Sequence, residues 1–319
     1  MAELAHDQSL EEVASTLARL LTGPGDTIRE EGSSLEFESS LVIRPLTRLA
    51  APPSVWAVDG GQALVADARC LQLYVTRSSL VHWSAGRSVV EDQNPLEAWL
   101  LGPVAPRPSL EAPVASDCSI DINLLREWGE WSAASRCVSA ARPGDLVLVD
   151  GDLEPDWRLS PNWFEGLMEL AEEREVTLLG VTKHTGLSWG GSPLLSVLER
   201  KADAELPNRS CWWAPVAHSS LIQVVVARLD PDARFSFRVD LPASADPASC
   251  LASLSAVCDD AAFPGYPYPL SSADRLAACP GWVRDEVWTR VEGLLDQAGV
   301  PADLRDRAFA DRHRLMERY

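Results

Sequence analysis

No apolar stretch in the sequence approaches the roughly 18 residues that a membrane helix needs. The first residues, MAELAHDQSLEEV, lack the basic start and apolar run of a signal peptide. Together these absences lead to the expectation of a cytoplasmic protein without membrane attachment. Cys-x-x-Cys pairs are also missing. The seven cysteines, Cys70, Cys118, Cys137, Cys211, Cys250, Cys258 and Cys279, are scattered and odd in number, which speaks for reduced, mostly buried thiols and against a zinc site. Internal repeats and low-complexity tracts are absent. So is a basic excess: 47 acids stand against 28 Lys and Arg, a net charge of −19. That balance argues against casual nucleic-acid binding, because phosphate-binding proteins usually carry a basic footprint. Two things soften the objection: metal-binding carboxylates are acidic until cations load, and a partner can supply basic surface.

What is present is globular. Hydrophobic residues make up 46% and charged residues 24% of 319, enough to bury a large core in one elaborated domain or two. The chain is organised around VWAVDGG, residues 55–61. Val55 to Val58 predict a buried strand closed by Asp59, with Gly60 and Gly61 turning the chain sharply away. A carboxylate that closes an apolar strand is usually paired, hydrogen-bonded or on a cation. The pattern recurs in Leu146-Val147-Leu148-Val149-Asp150-Gly151-Asp152. Two strands side by side, sharing a divalent metal through Asp59 and Asp150, is the first expectation. The bland alternative for each aspartate is a turn carboxylate capping a backbone N–H, and Asp152 reads as such a turn residue.

Around these strands, residues 8–22 place Leu10, Val13, Leu17, Leu20 and Leu21 at helical steps and predict an amphipathic helix stopped by Gly23-Pro24-Gly25. The segment ALVADARCLQLYVTRSSLVHW predicts two further strands in a meander with the first, and the proline-rich stretch 102–115 a surface loop. Residues 120–141 read as a helix on which Glu130 shares a face with Ala133, Ala134, Cys137, Val138 and Ala141; Glu127 is the competing acid, and solvent exposure the ordinary reading of both. A strand at DLVLVDGDL, a helix over 162–174 and a strand at VTLLGVTKHT form a β-α-β unit, which predicts parallel strands. SSLIQVVVARL and ARFSFRVDL predict a hairpin about Asp230-Pro231-Asp232. The remainder reads as helices over 247–259, 271–279, 281–298 and 302–317, with residues 263–270 too proline-rich for a helix. The twelve tryptophans read as core or interface, and His313 as exposed.

A strand aspartate, a meander, a helix with a glutamate, a fourth strand ending in Asp and an acid near the start of a late helix make the layout of the ribonuclease-H-like fold: α/β, a mixed sheet with flanking helices, plus an N-terminal helix and a C-terminal helical region. The expected divisions are 1–52 (helical and extended), 53–280 (nuclease core) and 281–319 (helices). Over 53–280 the runs VWAVDGG, LVLVDGDL, GVTKHTGL and GYPYPLSSADRLA together resemble the NurA nucleases, partners of the hexameric HerA translocase in DNA end processing.

The resemblance makes Asp59 and Asp150 metal ligands, Glu130 the helix glutamate in a loose match, and Tyr266 an active-site tyrosine. Asp274 stands where some members carry a histidine. An all-carboxylate site suits hard Mg²⁺ or Mn²⁺. Two ions about 3.5–4 Å apart supply the needs of phosphodiester hydrolysis: Asp59 would bridge, Asp150 and Glu130 would each complete one ion, and Asp274 would close the second. Lys183 would hold the phosphate or orient the water, with His184 in support, and Tyr266 and Tyr268 would stack on a base. Their bland readings are a solvated strand end and a rigid proline-flanked turn. The resemblance further implies a homodimer, single- and double-stranded DNA ends as substrate, and both 5′ to 3′ exonuclease and single-strand endonuclease activity in end resection and repair. Two rivals remain. An actin-like ATPase or sugar kinase needs further glycine-rich loops, for which only Gly190-Gly191-Ser192 is available. A binding subunit without metals is the other.

Overall fold

The strand that begins at Val55 does not close at Asp59; it runs on through both glycines to Asp67. This is seen in a computed structural model that describes residues 10–23, 25–49, 51, 53–108, 110, 114 and 118–310. In chain order the elements are α1 (Leu10–Thr22), β1 (Ile28–Arg29), β2 (Glu36–Phe37), β3 (Arg44–Pro45), β4 (Val55–Asp67), β5 (Gln72–Ser84), β6 (Arg87–Gln93) and β7 (Glu97–Leu101). They continue with α2 (Ile122–Ala140), β8 (Leu146–Asp150), α3 (Pro161–Glu173), β9 (Thr177–Thr182), β10 (Ser188–Trp189), β11 (Ser192–Pro193) and α4 (Leu194–Glu205). Last come β12 (Trp212–His218), β13 (Ile222–Arg228), β14 (Phe237–Pro242), α5 (Pro247–Ser255), α6 (Tyr268–Ala277), α7 (Gly281–Gln297) and α8 (Ala302–Phe309). Residues 8–9 and 311–317 of the expected terminal helices, and His313, lie outside the described residues.

By contacts the chain groups into two discontinuous units. One holds the chain up to Pro53, Gly151–Leu153 and Thr177–Tyr268, and the other Ser54–Asp150, Glu154–Val176 and the chain from Pro269 on.

In the second unit β4 pairs antiparallel with β5 along its whole length, from Val55 opposite Trp83 to Asp67 opposite Gln72. β5 in turn pairs with both β6 and β7. The meander therefore differs from expectation: ALVAD is the far half of β4, one long strand follows it, and the third position is shared by two short strands. On its other edge β4 pairs parallel with β8, Val55 with Leu146 through Val58 with Val149, so the sheet is mixed. Helix α2 covers it. Asp121 caps the helix by accepting from the Leu124 N–H at 2.9 Å, and Pro143 keeps the following chain out of it. Leu124, Leu125, Ala133, Ala134, Cys137 and Val138 are buried, and each large apolar side chain contributes about 1.5–3 kcal/mol by leaving water. Helix α6 starts earlier than its prolines suggested, because Pro269 falls in the first turn, where no helical N–H is needed.

In the first unit the strand order is β2-β12-β13-β14-β9, with β3 also on β12, and β1-β10-β11 form a separate small sheet. The β13–β14 hairpin pairs Ile222 with Pro242 through Ala227 with Phe237, as the sequence led one to expect. Strand β12 and helix α4 were not anticipated. Arg238 is 1% exposed and forks onto Asp240, Nε to Oδ1 at 2.8 Å and Nη2 to Oδ2 at 2.9 Å, while Nη1 donates to Glu30 at 2.9 Å. Helix α1 is amphipathic but buries none of its residues; Leu10, Leu17, Leu20 and Leu21 are exposed.

Candidate metal centre

The parallel register that ends at Val58 and Val149 brings the next residues of β4 and β8, Asp59 and Asp150, side by side. Asp59 is 7% exposed and Asp150 half-buried. Alternation along β4 then decides what each residue faces. Asp59 lies opposite Ser79 of β5, and the Ser79 hydroxyl donates to the Ala273 carbonyl of α6 at 2.7 Å. Gln93 donates to the Leu276 carbonyl at 2.9 Å, and Arg77 to that of Ala278. Of these acceptors, Leu276 lies in the last turn of α6, where the helix has no N–H donors of its own to offer, and together the three bonds tie α6, which carries Asp274, to β5 and β6. The result is a trio: carboxylate oxygens of Asp59, Asp150 and Asp274 all lie within 4.8 Å of one another.

Gly60 and Gly61 make this approach possible without turning the chain. A Cβ at 61 would lie 2.0 Å from the Ala277 carbonyl oxygen, and one at 60 would lie 2.4 Å from Oε1 of Glu130. Both glycines are contact points on a continuous strand; Gly151, at φ +150, supplies the backbone freedom expected of a turn.

Glu130 is 4% exposed on the face of small residues anticipated for it, yet it is not in the trio. It lies against Gly60, which points to the opposite side of the strand from Asp59, and it accepts from Nη1 of Arg126 one turn earlier. Burial, opposed by Arg126 and reinforced by Asp59, Glu127 and Asp150, raises its carboxyl well above the usual range. Glu127 has a structural occupation: its Oε1 accepts from the Asp156 N–H at 2.6 Å and from Trp131 Nε1 at 3.2 Å. Arg126 was missed in the sequence, although its position four residues before Glu130 is the spacing of a helical ion pair.

Lys183, His184, Tyr266 and Tyr268 belong to the other unit. Lys183 and His184 are exposed, and Lys183 Nζ stands 5.0 Å from the centre of the Tyr266 ring. Tyr266 is 2% exposed and packs on Phe237 and Phe263 at 5.3 and 6.2 Å. The ring is thus enclosed, with Lys183 over it; Tyr268 is half-buried. Gly190 and Gly191, both at positive φ, form the tight turn between β10 and β11 and pack on Gly25 and Leu20, which leaves the nucleotide-loop rival without its second loop.

An antiparallel meander, a covering helix and a parallel strand that sets a second aspartate beside the first define a ribonuclease-H-like α/β fold. Neither a family model nor a curated protein matches the sequence. In fold the chain is similar to the NurA nuclease from Sulfolobus solfataricus, with a TM-score of 0.53 and 18% identity over 81% of this chain and 88% of that one. Weaker likenesses include a NurA structure bound to dAMP and manganese (TM-score 0.44, 10% identity, 72% and 85% covered) and the catalytic domain of human endonuclease V (TM-score 0.41, 13% identity, 81% and 92% covered).

The trio fits a hard divalent cation. All its donors are carboxylate oxygens, and a limit of 4.8 Å is only a little wider than the about 4.2 Å between opposite ligands of an ion held at about 2.1 Å.

Proposed function

We propose that this chain is a divalent-metal-dependent DNA nuclease of NurA type that hydrolyses phosphodiester bonds. The observation that carries the reading is the convergence of Asp59, Asp150 and Asp274 within 4.8 Å on a ribonuclease-H-like fold. Asp59, Asp150 and Asp274 would hold the cation or cations, and Glu130 would join them once it parts from Arg126. Mn²⁺ or Mg²⁺ is the cofactor, and when bound it supplies charge neutralisation at the phosphoryl oxygens, a more acidic attacking water and stabilisation of the leaving 3′ oxygen. Lys183 holds the scissile phosphate, oriented by its stacking on Tyr266, with His184 beside it; Tyr268 meets a base.

The sequence resemblance supports the finer reading: 5′ to 3′ exonuclease and single-strand endonuclease activity on DNA ends, in the cytoplasm, as a homodimer working with a HerA-like hexameric translocase in end resection and repair. The uncovered leucines of α1 offer apolar area for such assembly.

The test is cleavage of end-labelled single- and double-stranded DNA in EDTA, Mg²⁺ or Mn²⁺, with and without a HerA-type partner and ATP. Metal-dependent cleavage lost in Asp59→Ala is expected, and the label gives the polarity. Cleavage by Asp59→Ala at the wild-type rate would refute the assignment, and no cleavage under any condition would leave a binding subunit as the reading.

A further inference from the structure

On a chain with net charge −19, the side of the sheet covered by α2 carries a local reversal of sign. A groove of 570 Å³ lies between β5, β7 and α2, lined by Arg126 and Arg136 of α2 with Glu97 as its acid; Arg77 borders it, with its guanidinium turned to the Ala278 carbonyl. Arg126, Gly129, Ser132 and Arg136 follow one another at helical steps, so one stripe of α2 forms the wall. Arg136 is exposed, and among the described residues no ion pair engages it. Two half-buried tryptophans also line the groove, Trp99 from β7 and Trp128 from α2 itself. Trp99 is fixed by donating from Nε1 to the Thr76 hydroxyl at 2.8 Å, and Trp128 by edge contact with Trp163 at 5.2 Å. The inner end of the stripe is Arg126, whose guanidinium is already on Glu130.

We propose that this groove binds a segment of single-stranded DNA, with a phosphate on Arg136 and bases against Trp99 and Trp128. The inference rests on the nuclease reading and names where its substrate lies. Guanidinium forks suit phosphate oxygens. Aromatic faces accept any unpaired base, whereas a duplex keeps its bases stacked and out of reach. The volume falls within the about 300–1,000 Å³ of a small-ligand pocket, which corresponds to one or two nucleotides rather than a duplex. A strand seated here has its next phosphates directed to Arg126. Exchange of Arg126 from Glu130 to phosphate would then free the glutamate as the substrate arrives.

The test is fluorescence anisotropy of a short labelled oligothymidylate with the full chain in EDTA, so that binding is read apart from cleavage. Arg136→Ala is expected to weaken binding about tenfold at low salt and to lower the slope of log affinity against log salt by about 0.7, one single-strand phosphate. Trp99→Ala is expected to weaken it about 5- to 100-fold, with Trp99→Phe restoring most of the loss and so separating stacking from folding. Wild-type affinity and salt slope in Arg136→Ala, or a loss confined to blunt duplex, would overturn the groove. If Mn²⁺-dependent cleavage persists beside that result, the groove fails and the nuclease stands. Groove-dependent binding by a wild type that does not cleave would uphold the groove and overturn the nuclease, and a wild type that neither binds nor cleaves would sink both.

Discussion

Replacing Gly61 by alanine probes how the metal trio is held together. The added Cβ would sit 2.0 Å from the Ala277 carbonyl oxygen and 2.8 Å from its carbon, both backbone atoms that cannot rotate away. Restoring a tolerable contact requires the end of α6 to retreat by about 1 Å, an overpacking that costs about 1–3 kcal/mol. The retreat also lengthens the hydrogen bonds from Ser79, Gln93 and Arg77, each worth about 0.5–1.5 kcal/mol net. A loss near 2 kcal/mol lowers the melting temperature by about 4–8 °C at about 2–4 °C per kcal/mol. Asp274 is one turn before Ala277 and moves with it, so Mn²⁺ affinity should fall about 10- to 100-fold, the usual effect of disturbing what positions a ligand. Thermal melts and Mn²⁺ titration followed by electron paramagnetic resonance read both quantities. Gly60→Ala is the companion: its Cβ meets Oε1, Cγ and Cδ of Glu130, side-chain rather than backbone atoms, so the melting loss should be smaller. Unchanged melting and Mn²⁺ affinity in Gly61→Ala would refute the close-approach argument and the docking of α6 with it.

Asp150→Asn should abolish Mn²⁺ binding yet stabilise the metal-free chain by about 1 kcal/mol, because like charges at this separation repel by about that much in a water-like dielectric; a destabilised metal-free variant in urea unfolding would contradict it. Because burial raises the Glu130 carboxyl, folding takes up a proton there; its stabilising contribution is full below the unfolded carboxyl range and is lost as pH rises through the native value. Glu130→Gln should therefore gain on the wild type as pH rises above the ordinary carboxyl range in EDTA, and a difference constant with pH would count against this. Arg238→Ala strands Asp240, which is 0% exposed, and should cost about 3–5 kcal/mol by urea unfolding, whereas Arg238→Met combined with Asp240→Leu should recover most of it. Equal losses in the single and double variants would argue that packing, not the unpaired charge, sets the cost.

The parts of the site visible in the sequence are those encoded locally. Four apolar residues before Asp59 and before Asp150 signal two buried strands, and the parallel register sets the two acids side by side. The wheel of α2 places Glu130 on its buried face. The glycines mislead because Asp-Gly-Gly has the same letters whether the chain turns or another element passes close by; only the position of Ala277, over two hundred residues away, decides between them. Similarly, which side of β4 Glu130 faces depends on the strand continuing past Asp59, so its separation from the trio is invisible while the strand is read as ending there. Strand β12 is hidden by Pro215, which sits at a register shift where the ladder tolerates it. Tyr266 lies in a run that reads as a rigid proline-flanked turn, and its enclosure comes in part from Phe237 on a distant strand.

The most direct test of the central claim is a crystal of the full chain soaked in Mn²⁺ and measured at the manganese absorption edge. Anomalous density is expected among the carboxylates of Asp59, Asp150 and Asp274, and none in a crystal of Asp59→Ala. Ordered crystals with no manganese at the trio, or with the same peak in the variant, would contradict it.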